Sequence, residues 1–153
     1  MLFLYNPTAG KGRVTADLAA VLDVFTKAGY LTTVYPTQGK ADATRIAAEL
    51  GGQFDRVVCS GGDGTLSETV SGLMQLDHPP VLGYIPFGST NDCATTLRLP
   101  RDPVKAAQTA SETGVPRPWD IGRLNGRPFV YVAAFGSFTE VSYDTRSEER
   151  RVG

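Results

Sequence analysis

The sequence predicts an α/β fold: an open, mostly parallel sheet with helices on both faces, followed by the first β-hairpin of a β-rich region. Two observations carry this. Up to Gly114, an apolar run of strand length, a glycine-bearing polar loop and a helical apolar period follow one another repeatedly, which is the pattern of βα units. Beyond Val115 the alternation stops, and Asn125-Gly126 stands between two extended stretches, a two-residue hairpin signal. The expected partition is an α/β domain over 1–115, a stretch of different, hairpin-bearing pattern over 116–145, and a charge-dense tail over 146–153 that need not belong to the natural fold.

Leu2 to Tyr5 is the first strand, and it stops at Asn6-Pro7-Thr8-Ala9-Gly10-Lys11-Gly12, a turn-rich stretch with one cation. Val14, Leu18, Val21, Leu22 and Phe25 then recur at helical spacing until Gly29. Leu31 to Tyr35 is the second strand, favoured by Thr32 and Thr33. After Thr37-Gln38-Gly39-Lys40, the residues Ala43, Ile46, Ala47 and Leu50 mark a second helix. Arg56 to Ser60 is a buried strand that delivers Gly61-Gly62-Asp63-Gly64-Thr65 onto a helix carrying Leu66, Val70 and Leu73. Val81 to Ile85 is the fourth strand and enters Pro86-Phe87-Gly88-Ser89-Thr90-Asn91-Asp92. Asp102-Pro103 starts a further helix, which Gly114 closes. The hairpin arms are expected over Arg117–Leu124 and Pro128–Ala134. The second arm is apolar on both faces, so it needs cover on both; the chain reads as a fragment of a longer protein, and the arm is able to pair with a second copy, leaving a homodimer open.

The formal charge of −1 and the lack of a basic stripe with interleaved aromatics exclude a nucleic-acid partner. Cys59 and Cys93 fit no metal spacing and make no disulfide framework, so free thiols in a reducing cytoplasm are expected. No apolar run reaches the ~18 residues of a spanning helix, and the N-terminal stretch lacks the basic region of a signal peptide. A soluble cytoplasmic protein with peripheral membrane contact at most follows.

The chemistry sits at the three polar loops. A glycine-rich turn feeding a helix N-terminus suits phosphate, because free N–H groups and the positive end of the helix dipole point into it. Asp63 is the odd member of such a cradle: it either caps the turn or holds a divalent metal, a hydroxyl proton or a ribose. The Walker pattern fails, since Gly10-Lys11 has Tyr5 and Gly12 where a glycine and a hydroxyl are needed. The dinucleotide fingerprint from Gly62 fails as well, because Leu82 to Phe87 hold no acidic residue. In an open parallel sheet, loops after strand ends share one rim, where ligands bind. His78 reads as a solvated loop residue.

Taken together and in order, Asn6-Pro7-Thr8-Ala9-Gly10-Lys11-Gly12, Gly61-Gly62-Asp63-Gly64-Thr65 and Gly88-Ser89-Thr90-Asn91-Asp92 resemble the catalytic domain of the diacylglycerol kinase family. The bacterial soluble lipid kinases are most alike; sphingosine and ceramide kinases are more distant, and NAD kinases and phosphofructokinases share only the second motif. The likeness covers about Met1 to Tyr143. It implies ATP and Mg²⁺ as cofactors and a lipid hydroxyl as acceptor, in phospholipid metabolism. By the same resemblance Asn6, Pro7, Thr8, Ala9, Gly10, Lys11 and the run Gly61, Gly62, Asp63, Gly64, Thr65, Leu66, Ser67 line the ATP phosphates. Thr37, Ser89, Asn91 and Asp92 also meet nucleotide, Asp63 acts at the metal and phosphate centre, and Asp92 with Asp120 faces the substrate cleft. Ser67 and Ser89 depart from the family's common Asn and Thr. Metal ligands, lipid pocket and general base are expected from a second domain, so this stretch alone is expected to turn over little. An NAD kinase-like enzyme and a non-catalytic nucleotide-binding module are the alternatives.

Overall fold

The computed structural model describes residues 1–130. Four strands, β1 (Leu2–Tyr5), β2 (Thr33–Pro36), β3 (Arg56–Gly61) and β4 (Val81–Pro86), form one sheet in the order β2-β1-β3-β4. Every pairing in it is parallel. The register fixes where the chain turns: Tyr5 lies opposite Pro36 on one side and Ser60 on the other, and Gly61 lies opposite Pro86. All four strands therefore end level, and their following loops leave from the same rim.

Alternation along the strands sends side chains to two cores, because successive Cβ atoms point to opposite faces. On one face Leu2, Leu4, Val57, Cys59 and Tyr84 pack with α2 (Asp42–Leu50), α3 (Asp63–Leu73) and α4 (Asp92–Thr96). On the other face Phe3, Val58 and Ile85 pack with α1 (Arg13–Lys27) and α5 (Pro103–Gln108). Phe3 meets Phe25 edge to face with ring centroids 5.3 Å apart, and each fully buried side chain of this size contributes about 1.5–3 kcal/mol. Helices on both faces of a parallel sheet are as the periodicity predicts. Asp102 caps α5 by accepting from the Lys105 N–H at 2.8 Å, with Pro103 following it.

Two boundaries differ from the sequence reading. The second strand begins at Thr33 rather than Leu31, because its ladder with β1 runs only from the Leu2–Thr33 pair to the Tyr5–Pro36 pair; Leu31 lies outside it and is 93% exposed. The hairpin strands are also shorter than expected, β5 (Gly122–Leu124) and β6 (Arg127–Phe129), joined at Asn125 and Gly126 with φ of +50° and +77°. Two consecutive left-handed residues match the twist of a tight hairpin. The stretch from Arg117 to Ile121 is not a strand, since it has no partner chain in the two-stranded sheet. The expected remainder of the second arm and the tail 146–153 lie outside the described residues.

Helices α2 and α3 interlock at Gly72, where an added Cβ would strike the Thr44 carbonyl and sit 2.7 Å from the Ala47 Cβ. Gly72→Ala is therefore expected to destabilise by about 1–3 kcal/mol through overpacking, read as a lower urea midpoint at unchanged slope. Cys59 and Cys93 are buried free thiols, and burial pushes the Cys59 thiol up to about 12. Among the described residues no helix is long and apolar enough to cross a membrane.

Candidate active site

The rim after the four strand ends gathers the polar loops. The first loop is tied to its neighbours by main-chain bonds: the Asn6 N–H donates to the Ser60 carbonyl at 2.9 Å, and the Thr37 N–H donates to the Tyr5 carbonyl at 2.8 Å. Within the loop the Asn6 Oδ1 accepts from both the N–H and the hydroxyl of Thr8, at 3.0 and 2.8 Å. That arrangement is an Asx turn. Gly10 has φ of +59°, and a Cβ there would lie 2.9 Å from the Phe87 carbonyl oxygen. Both conformation and room demand glycine, and the first and third loops touch.

The second loop does not use its glycines for unusual dihedrals. Gly62 is extended, at φ −89° and ψ −175°, a conformation open to any residue. Space is the reason instead. A Cβ on Gly61 would collide with the Thr65 side chain, and one on Gly88 would lie 2.6 Å from the Gly62 Cα. Glycines from the second and third loops thus meet face to face. No side chain caps α3, so its first-turn N–H groups remain free to bind a ligand.

Asp63 is the first residue of α3, yet its carboxylate reaches the next helix. Its two oxygens accept the N–H groups of Asp92 and Cys93 at 3.0 and 3.2 Å, at the start of α4. The cap role left open by the sequence is therefore present, directed at α4. Asn91, at φ +53°, clasps Gly88 by accepting its N–H at 2.7 Å and donating to its carbonyl at 2.6 Å.

These loops border a cleft of about 650 Å³ lined by Asn6, Thr8, Ala9, Gly10, Thr37, Gly62, Gly64, Thr65, Gly88 and Ser89. Gln38, Gly39, Lys40, Ala43 and Glu68 complete it; the sequence reading assigned these five no role in the site. For Gln38, Gly39 and Lys40 a signal was present, since the loop after β2 must leave the sheet at the same rim as the others. Glu68 holds that wall in place by accepting the Ala41 N–H at 2.9 Å. Asp42 does likewise: the Gln38 N–H, and then Arg45, hold its carboxyl below the usual carboxylate range.

Several other predicted residues are not in the lining. Leu66 is a core residue at 4% exposure, while Pro7, Gly61, Asp63, Ser67 and Asp92 belong to the same loops and helix starts but not to the lining. Lys11 falls in the single turn Ala9–Gly12. Asn91 lines a neighbouring cleft of about 490 Å³ that shares Gly88 and Ser89. Asp120 is exposed and lines neither cleft.

Residues 1–124 match the Diacylglycerol kinase catalytic domain family. The chain belongs to this family. It is 44% identical over 146 residues to the diacylglycerol kinase of Bacillus subtilis strain 168, covering 95% of this chain and 48% of the relative. It is 40% identical over 150 residues to that of Staphylococcus saprophyticus, covering 97% and 49%. A solved diacylglycerol kinase structure from Bacillus anthracis superposes with a TM-score of 0.77 at 32% identity, over 84% of this chain and 44% of that one. The chain thus spans about half the length of the curated relatives it matches. The diacylglycerol kinase family match and the α/β architecture both agree with the sequence reading.

Proposed function

We propose that the full-length protein is an ATP-dependent lipid kinase that transfers the γ-phosphate of ATP to a lipid hydroxyl, diacylglycerol being the first candidate. The observation that carries this reading is the convergence of the loops after β1, β3 and β4 on one cleft. In phosphoryl transfer the protein's task is to position the phosphates and stabilise charge on their oxygens. Gly10, Gly62–Thr65 and Ser89 offer main-chain N–H groups for that purpose, supported by the α3 dipole. The base and ribose would extend toward Thr37, Gln38 and Lys40, where the cleft continues. Asp92 and Asp120 would border the lipid side, with residues 116 onward opening a second domain.

A magnesium site made wholly by protein is not among the described residues, which hold no group of three or more ligating side chains. The donor set instead fits an ion shared with substrate, because Mg²⁺ is commonly held by one or two carboxylates and the phosphates themselves. Asp63 and Asp92 are the carboxylates on these loops. When bound, the ion would neutralise charge on the transferring phosphoryl group. Asp63, tied to α4, would orient the two loops around it.

The test is a radiolabelled ATP assay on the full-length protein with diacylglycerol in mixed micelles or with NAD as acceptor. Label is expected in the chloroform-soluble product. Label in NADP alone would replace this reading with NAD kinase activity, and ATP binding without transfer to either would favour a non-catalytic module.

A further inference from the structure

Tyr84 has no part in the function proposed above, yet it sits where the second and third loops meet. It lies on β4 and is 6% exposed. Its hydroxyl donates to the Gly61 carbonyl at 3.1 Å and lies 3.4 Å from the Asn91 Oδ1. Both acceptors belong to the loop junction. The Gly61 carbonyl also receives the Phe87 N–H at 2.7 Å, and Asn91 Oδ1 also receives the Gly88 N–H at 2.7 Å. One buried hydroxyl thus stands between the end of the second-loop strand and the side chain that clasps the third loop.

A phenol has a single proton, so these two acceptors share it. Burial pushes Tyr84 well above the ordinary phenol range, and the group remains a donor at any physiological pH. The spacing it spans is tight, since a Cβ added to Gly62 would lie 3.3 Å from the Gly88 Cα. Packing of the ring alone does not require a hydroxyl at this point, and a buried hydroxyl is retained at a cost unless it is bonded.

We propose that Tyr84 is a positioning residue, whose hydroxyl sets the separation of the two glycine loops and thereby the fit of a nucleotide's phosphate chain. This rests on the reading that those loops hold phosphates. Tyr84 touches no substrate in this role; it acts through Gly61 and Asn91.

Tyr84→Phe in the full-length protein tests it, because the ring is kept and the Gly61 carbonyl retains the Phe87 N–H. Calorimetry with ATP and Mg²⁺, and separately with adenosine, is the readout. ATP affinity is expected to fall by about tenfold, the size of one hydrogen bond, while adenosine affinity stays within about twofold and the melting temperature without ligand changes little. Asn91→Ala should show the same ATP-selective loss, and the double variant should lose less than the sum, as expected for groups in one network. Equal ATP affinity in Tyr84→Phe and parent would overturn the proposal, as would ATP and adenosine weakening together. A parent protein that binds no ATP would overturn the functional reading of the site and this proposal with it; a parent that binds ATP alongside an unchanged Tyr84→Phe overturns the role of Tyr84 alone.

Discussion

Replacing Asp63 with alanine is expected to lower lipid phosphorylation by the full-length protein about 1000-fold, the scale seen when a preorganised charge at a reaction centre is removed. The effect has two sources. The carboxylate would supply negative charge beside the proposed ion, and its oxygens hold the first N–H groups of α4 at 3.0 and 3.2 Å. Charge-assisted hydrogen bonds of this kind contribute about 1.5–3 kcal/mol, so the variant should also melt several degrees lower. Asp63→Asn is not a gentle alternative. Its amide can accept from one of the two facing N–H groups but must point its own donor at the other. Turnover measured with saturating ATP and lipid, beside a melting curve, separates loss of chemistry from loss of fold. A variant that keeps turnover within about tenfold would confine Asp63 to its capping role.

Gly88→Ala carries the second large effect. Its Cβ would lie 2.6 Å from both the Gly62 Cα and the Asn91 Oδ1. Neither neighbour has a flexible end to swing aside: one is backbone, and the other is held by two hydrogen bonds to Gly88 itself. The loops must part, and the N–H groups facing the cleft then diverge. A loss of at least about 100-fold in ATP affinity is expected, equivalent to the removal of two good hydrogen bonds. Because the strain is local to the rim, the two cores should survive. Calorimetric titration with ATP and Mg²⁺ checks the affinity, and circular dichroism checks the fold.

Much of this site was legible before any coordinates. Strand, loop and helix followed one another with clear periods, so the parallel sheet and its two covered faces were readable, as was the shared rim. What escaped was geometry that depends on closeness across the sheet. Gly62 and Gly88 are 26 positions apart in the chain, and nothing local says that a Cβ on either would meet the Cα of the other; the demand at both is for room. Tyr84 was invisible for a similar reason. Its alternation marks it as a buried strand residue, and only the position of Asn91 shows what its hydroxyl reaches. The wall formed by Gln38, Lys40 and Glu68 lacked a familiar motif, although register alone places the loop after β2 beside Tyr5. Asp120 is a different case: the resemblance drew attention to it, and it is exposed and outside the lining of both clefts.

The most direct measurement is of main-chain amide shifts by nuclear magnetic resonance during titration of the full-length protein with ADP and Mg²⁺. Resonances of Thr8 and Gly10, of Gly62 to Thr65, and of Gly88 and Ser89 are expected to move together at a single midpoint, with those of α5 unmoved. Shifts confined to one of these loops, or centred on another part of the surface, would contradict a shared phosphate site.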